Sequence, residues 1–356
     1  MKIALVCPYD LARPGGVRSH ILGLGETLAR GGHVVEVIAP SNVARLGSLA
    51  VVPCGSAQRG RFGGTQIDIT WAPLRRVAEV CARGYDVMHF HTIWNPLMPF
   101  QLAARFRGPK VATFHDVAGP ETPRWASAMM SPLSEGIRRI ALRRVIAVSP
   151  AVSRYLLPGR HEIIPNGIAV PRTLPPEGER KAILYLGRLE PRKNVEVLID
   201  AVGRLGPSAP PLWIAGDGPL LPALVDQAQR ARVPAQFFGE VTEDEKWSLL
   251  RRARVVVAPS SGGESFGIIL LEAMAAGAPP IGADNPGYHD LLKDRADQLL
   301  FPPGDADALS SRLRVLTAGD ANLRALREWG DTFWRQFDWS LLGARVERVY
   351  QEAIAG

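Results

Sequence analysis

The sequence predicts an α/β protein made of two Rossmann-like, doubly wound domains facing a cleft. Three observations carry this expectation. Short apolar runs alternate with helical patterns, a Pro-rich stretch interrupts the rhythm once, and the alternation then begins again. A chain of 356 residues is also long enough to bury two separate cores.

In the first half, residues 2–7, 34–39, 87–90, 111–114, 145–148 and 162–164 read as strands. The intervals between them hold crossover helices, which makes the strands parallel and places ligands beyond their carboxyl ends. Residues 171–180, with Pro171, Pro175 and Pro176 ahead of Glu177-Gly178-Glu179-Arg180, read as a linker. Strands resume at 182–186, 212–215, 236–238, 254–258, 280–283 and 298–301. The expected organisation is an N-terminal domain over 1–170, the linker 171–180, a C-terminal domain over 181–335, and a helical segment 336–356 that packs back on the N-terminal domain.

Composition narrows the class. Hydrophobic residues make up 46% and charged residues 22% of the chain, values of a folded globular protein and not of a disordered one. Cys7, Cys54 and Cys81 show no paired or metal-like spacing, which fits a reducing cytoplasm better than a disulfide framework. No apolar stretch approaches the roughly 20 residues of a membrane span, so the expected location is cytoplasmic, peripheral at the inner face of the cell membrane. Residues 1–170 carry 20 Lys and Arg against 10 Asp and Glu, whereas the remainder carries 22 against 25. Arg138, Arg139, Arg143 and Arg144 fall on one predicted helix after Trp125, Met129, Met130 and Leu133, the composition of a helix lying on an acidic lipid surface. An ordinary solvated basic face is the competing reading. No nucleic-acid-binding motif is present, and nucleic acid is not an expected partner.

The most informative stretch is Pro259-Ser260-Ser261-Gly262-Gly263-Glu264-Ser265-Phe266-Gly267, which runs into an apolar helix carrying Glu272. Glycines allow the backbone to approach a ligand, and the helix opening near Phe266 offers N–H groups and a positive dipole end to a phosphate. Glu272 lies about 9 Å further along at the ordinary helical rise. Two carboxylates at that separation are placed to hold the two ends of one nucleotide sugar across its pyrophosphate. An apolar helix is buried, and a carboxylate inside it requires a partner. The strand over 182–186 ends in Gly187-Arg188-Leu189-Glu190-Pro191-Arg192-Lys193-Asn194, which sets Arg188 and Lys193 at a strand's carboxyl end, where fixed cations stabilise a departing diphosphate without a metal. Gly216-Asp217 and Gly239-Glu240-Val241 close neighbouring strands and offer backbone groups to the nucleotide.

In the first domain, Tyr9, Asp10, Gly15, Gly16 and Arg18 follow the first strand, in a glycine loop opening a helix; Gly16 is assigned to the donor, and Tyr9, Asp10, Gly15, Arg18 and Asn95 to an acceptor. His115 ends another strand, placed to hydrogen-bond a sugar hydroxyl. His89 and His91 flank Phe90 and read as wall residues, with no third metal ligand in view. Gly23-Leu24-Gly25 imitates a dinucleotide fingerprint but falls inside a helix. Asp305-Ala306-Asp307 imitates a metal-binding Asp-x-Asp and is explained by helix capping. No metal is expected, and the nucleoside-diphosphate sugar is a co-substrate, not a cofactor.

Together these residues resemble the GT-B glycosyltransferases of family 4, whose hallmark pair of carboxylates is matched by Glu264 and Glu272. Gly15-Gly16-Val17, His115, Asn166-Gly167, Gly187-Arg188, Lys193, residues 262–267 and Phe337-Asp338-Trp339 fall in the family's order. Cys7-Pro8-Tyr9, the Gly-Gly-Val-x-Ser-His run and Gly263-Glu264-Ser265-Phe266-Gly267 are similar to phosphatidylinositol alpha-mannosyltransferases. The resemblance implies retaining, metal-independent transfer of a hexose from GDP-mannose or a UDP-sugar. It implies that Glu264 contacts the donor sugar, Glu272 the ribose, Arg188 and Lys193 the diphosphate, and His115 the sugar near the reacting carbon. Arg18 stands where a neutral amide is expected in the inositol-lipid enzymes, which leaves a membrane lipid, a lipid-linked saccharide or a polysaccharide open as acceptor. A sugar-nucleotide epimerase or hydrolase on the same frame, and a non-catalytic membrane-associated sugar-binding protein, are the alternatives.

Overall fold

Ile3, Ala4, Leu5 and Val6 are all fully buried, as expected of a strand in the middle of a sheet covered on both faces. In the computed structural model, which describes residues 1–12, 15–62, 65–92, 97–115, 117, 124–156, 161–171 and 173–356, that strand is Lys2–Val6. Its sheet runs Glu162–Ile163, Arg144–Ala147, Lys110–Phe114, Val87–His91, Lys2–Val6, Val34–Ala39, Leu49–Pro53, Arg45–Leu46, parallel except for the last pair. Strand order reverses beside Lys2–Val6, so residues following that strand and Val87–His91 lie at a switch point. The chain divides into two units, Met1–Ala169 with Phe337–Gly356, and Val170–Gln336.

The second unit carries a wholly parallel sheet, ordered Ala235–Gly239, Leu212–Ala215, Ala182–Leu186, Ala253–Ala258, Pro280–Ala283, Leu300–Phe301. Here the order reverses between Ala182–Leu186 and Ala253–Ala258. Ligand sites of doubly wound sheets form at such a reversal.

Three differences from the sequence reading have physical causes. No strand was expected between residues 40 and 86, yet Arg45–Leu46, Leu49–Pro53 and the hairpin Ser56–Phe62 with Thr65–Trp71 lie there. In Thr65–Trp71 the apolar Ile69 and Trp71 are exposed and Thr70 between them is buried, so no buried apolar run marks the strand. Gln298 and Leu299 sit in the short helix Ala296–Leu299, leaving only Leu300–Phe301 as strand. Finally, the end of the Pro-rich stretch is fastened to the second unit: the buried Arg180 guanidinium donates to the carbonyls of Leu250, Ala253 and Ala276 at 3.4, 3.1 and 2.6 Å.

The closing helix Trp339–Ala355 belongs to the first unit and packs on helix Gly16–Arg30. A Cβ at Gly23 would stand 2.0 Å from Trp339 Nε1, and one at Gly167 would stand 2.5 Å from the same indole. Gly25 is similarly closed off by Leu49 and Leu5. The glycines that imitate a dinucleotide fingerprint therefore admit neighbouring side chains. Asp305 caps helix Ala306–Thr317 by accepting from Ala308 N at 2.8 Å.

Candidate functional site

Two loops meet at the switch point of the second unit, residues 187–194 after Ala182–Leu186 and residues 259–267 after Ala253–Ala258. Ser261 ties them together, donating its N–H to the Arg192 carbonyl at 3.1 Å. The 3₁₀ turn Pro191–Lys193 ends at Asn194 in the left-handed region, φ 49°, and turns both basic side chains toward Glu264. Lys193 Nζ and Arg192 Nη1 donate to the same oxygen, Glu264 Oε1, at 2.6 and 2.8 Å. Glu190 extends the array, accepting from Arg188 Nη1 at 2.8 Å and lying 3.5 Å from Arg192 Nε. Three cations against two carboxylates leave one positive charge in surplus. Arg188 is half exposed, at 49%, whereas Lys193, Arg192 and Glu264 are 17%, 17% and 14% exposed.

Backbone geometry holds this array in place. Helix Pro286–Leu292 begins directly against it, and a Cβ at Gly287 would stand 2.2 Å from the Glu264 carbonyl oxygen. Gly267, at φ 102°, opens helix Ile268–Ala275 against Tyr288. Glu272 on that helix accepts from Lys246 Nζ at 2.8 Å, the partner a buried carboxylate requires. Lys246 comes from helix Glu243–Arg252, fixed at its start by a capping box of Thr242 and Glu245.

The two carboxylates differ electrostatically. Burial pushes the Glu264 carboxyl up, but Lys193, Arg192 and the Ser260 hydroxyl together outweigh it and hold the group below the usual carboxylate range. Burial also raises Glu272, and there the single Lys246 does not overcome it. The Lys193 ammonium is lowered by burial against the attraction of Glu264. Glu264 is thus held as an anion, whereas burial draws Glu272 toward its neutral form.

Other expected donor residues surround these. Gly216 takes φ +135° and donates its N–H to the Gly239 carbonyl at 2.7 Å, and a Cβ there would meet the Gly187 carbonyl at 1.9 Å. Asp217 is exposed, and its carbonyl accepts from Leu189 N at 2.9 Å. These glycines serve backbone packing against residues 187–189. Gly239 ends its strand at φ +67° with open space at its Cβ position, while Val241 packs on the core. Phe266 is buried and Ser265 half-buried.

In the first unit, Gly15 caps and Gly16 begins helix Gly16–Arg30. Tyr9 is half-buried. Asp10 Oδ1 accepts from Ser41 Oγ at 2.8 Å and Ala12 N at 3.1 Å, and Arg18 Nε donates to the Leu11 carbonyl at 2.9 Å, so both shape the turn after the first strand. Asn95 lies outside the described residues. His115 is buried, its Nε2 3.2 Å from His91 Nδ1.

Two expectations are corrected here. A third histidine does stand beside His91: one nitrogen from each of His20, His91 and His115 lies within 4.8 Å of the others. The basic cluster does not form one free helical face. Helix Arg124–Ala141 holds Arg138 and Arg139, both bonded to Glu135, whereas Arg143 donates to the Ala353 carbonyl at 2.9 Å and Arg144, in the next strand, pairs with Glu352 at 3.3 Å.

Residues 170–330 match the model of group 1 glycosyl transferases, and residues 14–172 that of glycosyltransferase family 4. The chain is 33% identical to the phosphatidyl-myo-inositol mannosyltransferase of Mycobacterium tuberculosis strain H37Rv, over 100% of this chain and 98% of the relative. It is 34% identical to that of Mycolicibacterium smegmatis, over 100% and 95%. The chain belongs to glycosyltransferase family 4. Its fold is GT-B: Anabaena HepE in complex with UDP and glucose matches with a TM-score of 0.77 at 18% identity over 99% of both chains. A sucrose-phosphate synthase from Thermosynechococcus elongatus matches with 0.78 at 22%, again over 99% of both.

Within this family 4 glycosyltransferase, three partners of the two site carboxylates escaped the sequence reading. Arg192 stood beside the chosen Lys193 and shares the same carboxylate, Ser260 lay inside the quoted motif, and Lys246 sits in an acidic run, Glu243-Asp244-Glu245-Lys246, that reads as a solvated helix start. Only the requirement of Glu272 for a cation pointed to a residue like Lys246.

Proposed function

We propose that this glycosyltransferase moves a hexose from a nucleoside-diphosphate sugar, GDP-mannose or a UDP-sugar, to a membrane lipid, retaining configuration and requiring no metal. The observation that carries the reading is the meeting of Lys193 and Arg192 on Glu264 at the sheet's reversal. Glu264 contacts the transferred sugar and Glu272 the ribose. Breaking the sugar–phosphate bond builds negative charge on the departing diphosphate, which Arg188 and Lys193 stabilise, Arg188 from its half-exposed position and Lys193 from a dry one. The surplus positive charge of the array suits that anion, and the first N–H groups of helix Ile268–Ala275 add to it. His115 bonds a sugar hydroxyl near the reacting carbon. The acceptor hydroxyl enters on the face from which diphosphate leaves, and a donor phosphate oxygen takes its proton.

The mannosyltransferases named for phosphatidyl-myo-inositol support a hexose donor and a lipid acceptor, and HepE bound to UDP-glucose supports a nucleoside-diphosphate sugar. Among the described residues no helix is long and apolar enough to cross a membrane. Contact with lipid in this reading therefore falls to the exposed Trp71 and Leu74, beside the groove lined by Arg75 and Arg105, since the arginines around residue 140 are engaged within the unit. Thermal shift against a panel of nucleoside-diphosphate sugars, followed by lipid extract as acceptor, tests the assignment. Stabilisation by none of them, or sugar release from donor alone at the full rate, overturns it.

A further inference from the structure

Four of the chain's seven histidines gather in the first unit, and the proposed transfer uses one. His20 comes from helix Gly16–Arg30, His89 and His91 from alternate positions of one strand, and His115 from the end of the next strand. All are buried. His89 is fully committed, Nδ1 to Tyr350 Oη at 2.6 Å and Nε2 to Thr113 Oγ1 at 2.7 Å. The other three are not. His20 Nδ1 lies 2.8 Å from Asn166 Oδ1, an acceptor, so Nδ1 carries the proton and Nε2 its lone pair. That Nε2 is buried without a hydrogen-bond partner. A buried polar atom left unmatched costs about 1–3 kcal/mol, and a cation on His20 Nε2 would match it.

We infer that His20, His91 and His115 form a nitrogen-donor site for a divalent transition cation of the zinc class, three protein ligands with the fourth position open. Two nitrogens on one tetrahedral zinc stand about 3.4 Å apart, given bonds of roughly 2.0–2.1 Å. His91 Nδ1 and His115 Nε2 are already at 3.2 Å. A nitrogen of His20 lies within 4.8 Å of one on each of the other two rings. An all-imidazole set favours zinc, copper or nickel and rejects magnesium and calcium, which want oxygen. Asn166 supplies the outer contact that orients a ligating ring.

This site differs in chemistry from the diphosphate clamp of the second unit, offering nitrogen lone pairs to a cation where the clamp offers cations to an anion. A cation held there withdraws His115 from the sugar, making zinc a reversible inhibitor. That consequence rests on the role proposed for His115, but the binding does not. The full chain, stripped with chelator, is dialysed against micromolar zinc or cobalt, and bound metal is counted by atomic absorption, with the visible spectrum of the cobalt form reporting tetrahedral nitrogen ligation. One ion per chain is expected, lost in His91→Phe and weakened about 10–100-fold in Asn166→Ala. His89→Gln, within the same cluster, and His289→Gln, in the second unit, keep it, which separates ligand loss from misfolding. No bound ion in the parent, or full binding in a folded His91→Phe variant, overturns the site. Binding with unimpaired transfer refutes instead the role of His115.

Discussion

Replacing Glu264 by glutamine removes one charge while keeping the side chain's shape, and the structure sets the cost. Glu264 Oε1 accepts from two cations, and all three side chains are at most 17% exposed. Breaking a buried ion pair from one side costs about 3–5 kcal/mol, and the residual exposure favours the lower end, about 3 kcal/mol. For a unit the size of Val170–Gln336, each kcal/mol moves Tm by about 2–4 °C, so Glu264→Gln lowers that unit's melting by about 6–12 °C. The deficit has a pH signature. Glu264 titrates lower in the folded chain than in the unfolded one, so on acidification the unfolded chain binds its proton first. The stabilisation is full above about pH 4.3, the ordinary glutamate value, and is lost as pH falls through the lower folded value. Denaturant melts of parent and variant at pH 7 and pH 3 measure both. Equal stability at pH 7, or a gap that persists undiminished at pH 3, refutes the assignment of Glu264 as the paired anion. Adding Lys193→Met to Glu264→Gln should recover part of the loss, since one stranded cation goes with it.

Arg188→Ala should lower turnover about 100-fold, near 3 kcal/mol, with little effect on melting because the side chain is half exposed; near-normal transfer contradicts a role at the diphosphate. Gly287→Ala forces a methyl to 2.2 Å from the Glu264 carbonyl, so it should cost about 1–3 kcal/mol and weaken donor binding measured by titration, where an exposed glycine in extended backbone such as Gly319 has open space for alanine. Sedimentation with acidic liposomes at low salt should fall several-fold in Trp71→Ser with Leu74→Ser and stay unchanged in Arg138→Gln. Equal sedimentation of all three proteins argues against the Trp71–Leu74 contact.

Parallel strands were legible because strands buried on both faces are continuously apolar, as at residues 3–6 and 182–185. Glu264 and Lys193 were legible because each follows such a strand at its carboxyl end. The hairpin at residues 56–71 was not, since Gln66 and Asp68 break the apolar run. The histidine cluster was invisible for a different reason. Its members are separated by 71 and 24 residues, and only the sheet's order brings helix and strands together. The arginines near residue 140 were expected on one helix because composition does not mark where a helix ends: Arg143 and Arg144 lie beyond Ala141, and Glu135 and Glu352 pair with Arg138, Arg139 and Arg144.

The notch formed by Gly23 and Gly167 has a consequence for biosynthesis. Trp339, which fills it, leaves the ribosome after the whole of Val170–Gln336, so the unit translated first is completed last. Until then the face of helix Gly16–Arg30 that carries Gly23 and Thr27 awaits Trp339 and Gly343, and the first unit stays unsealed.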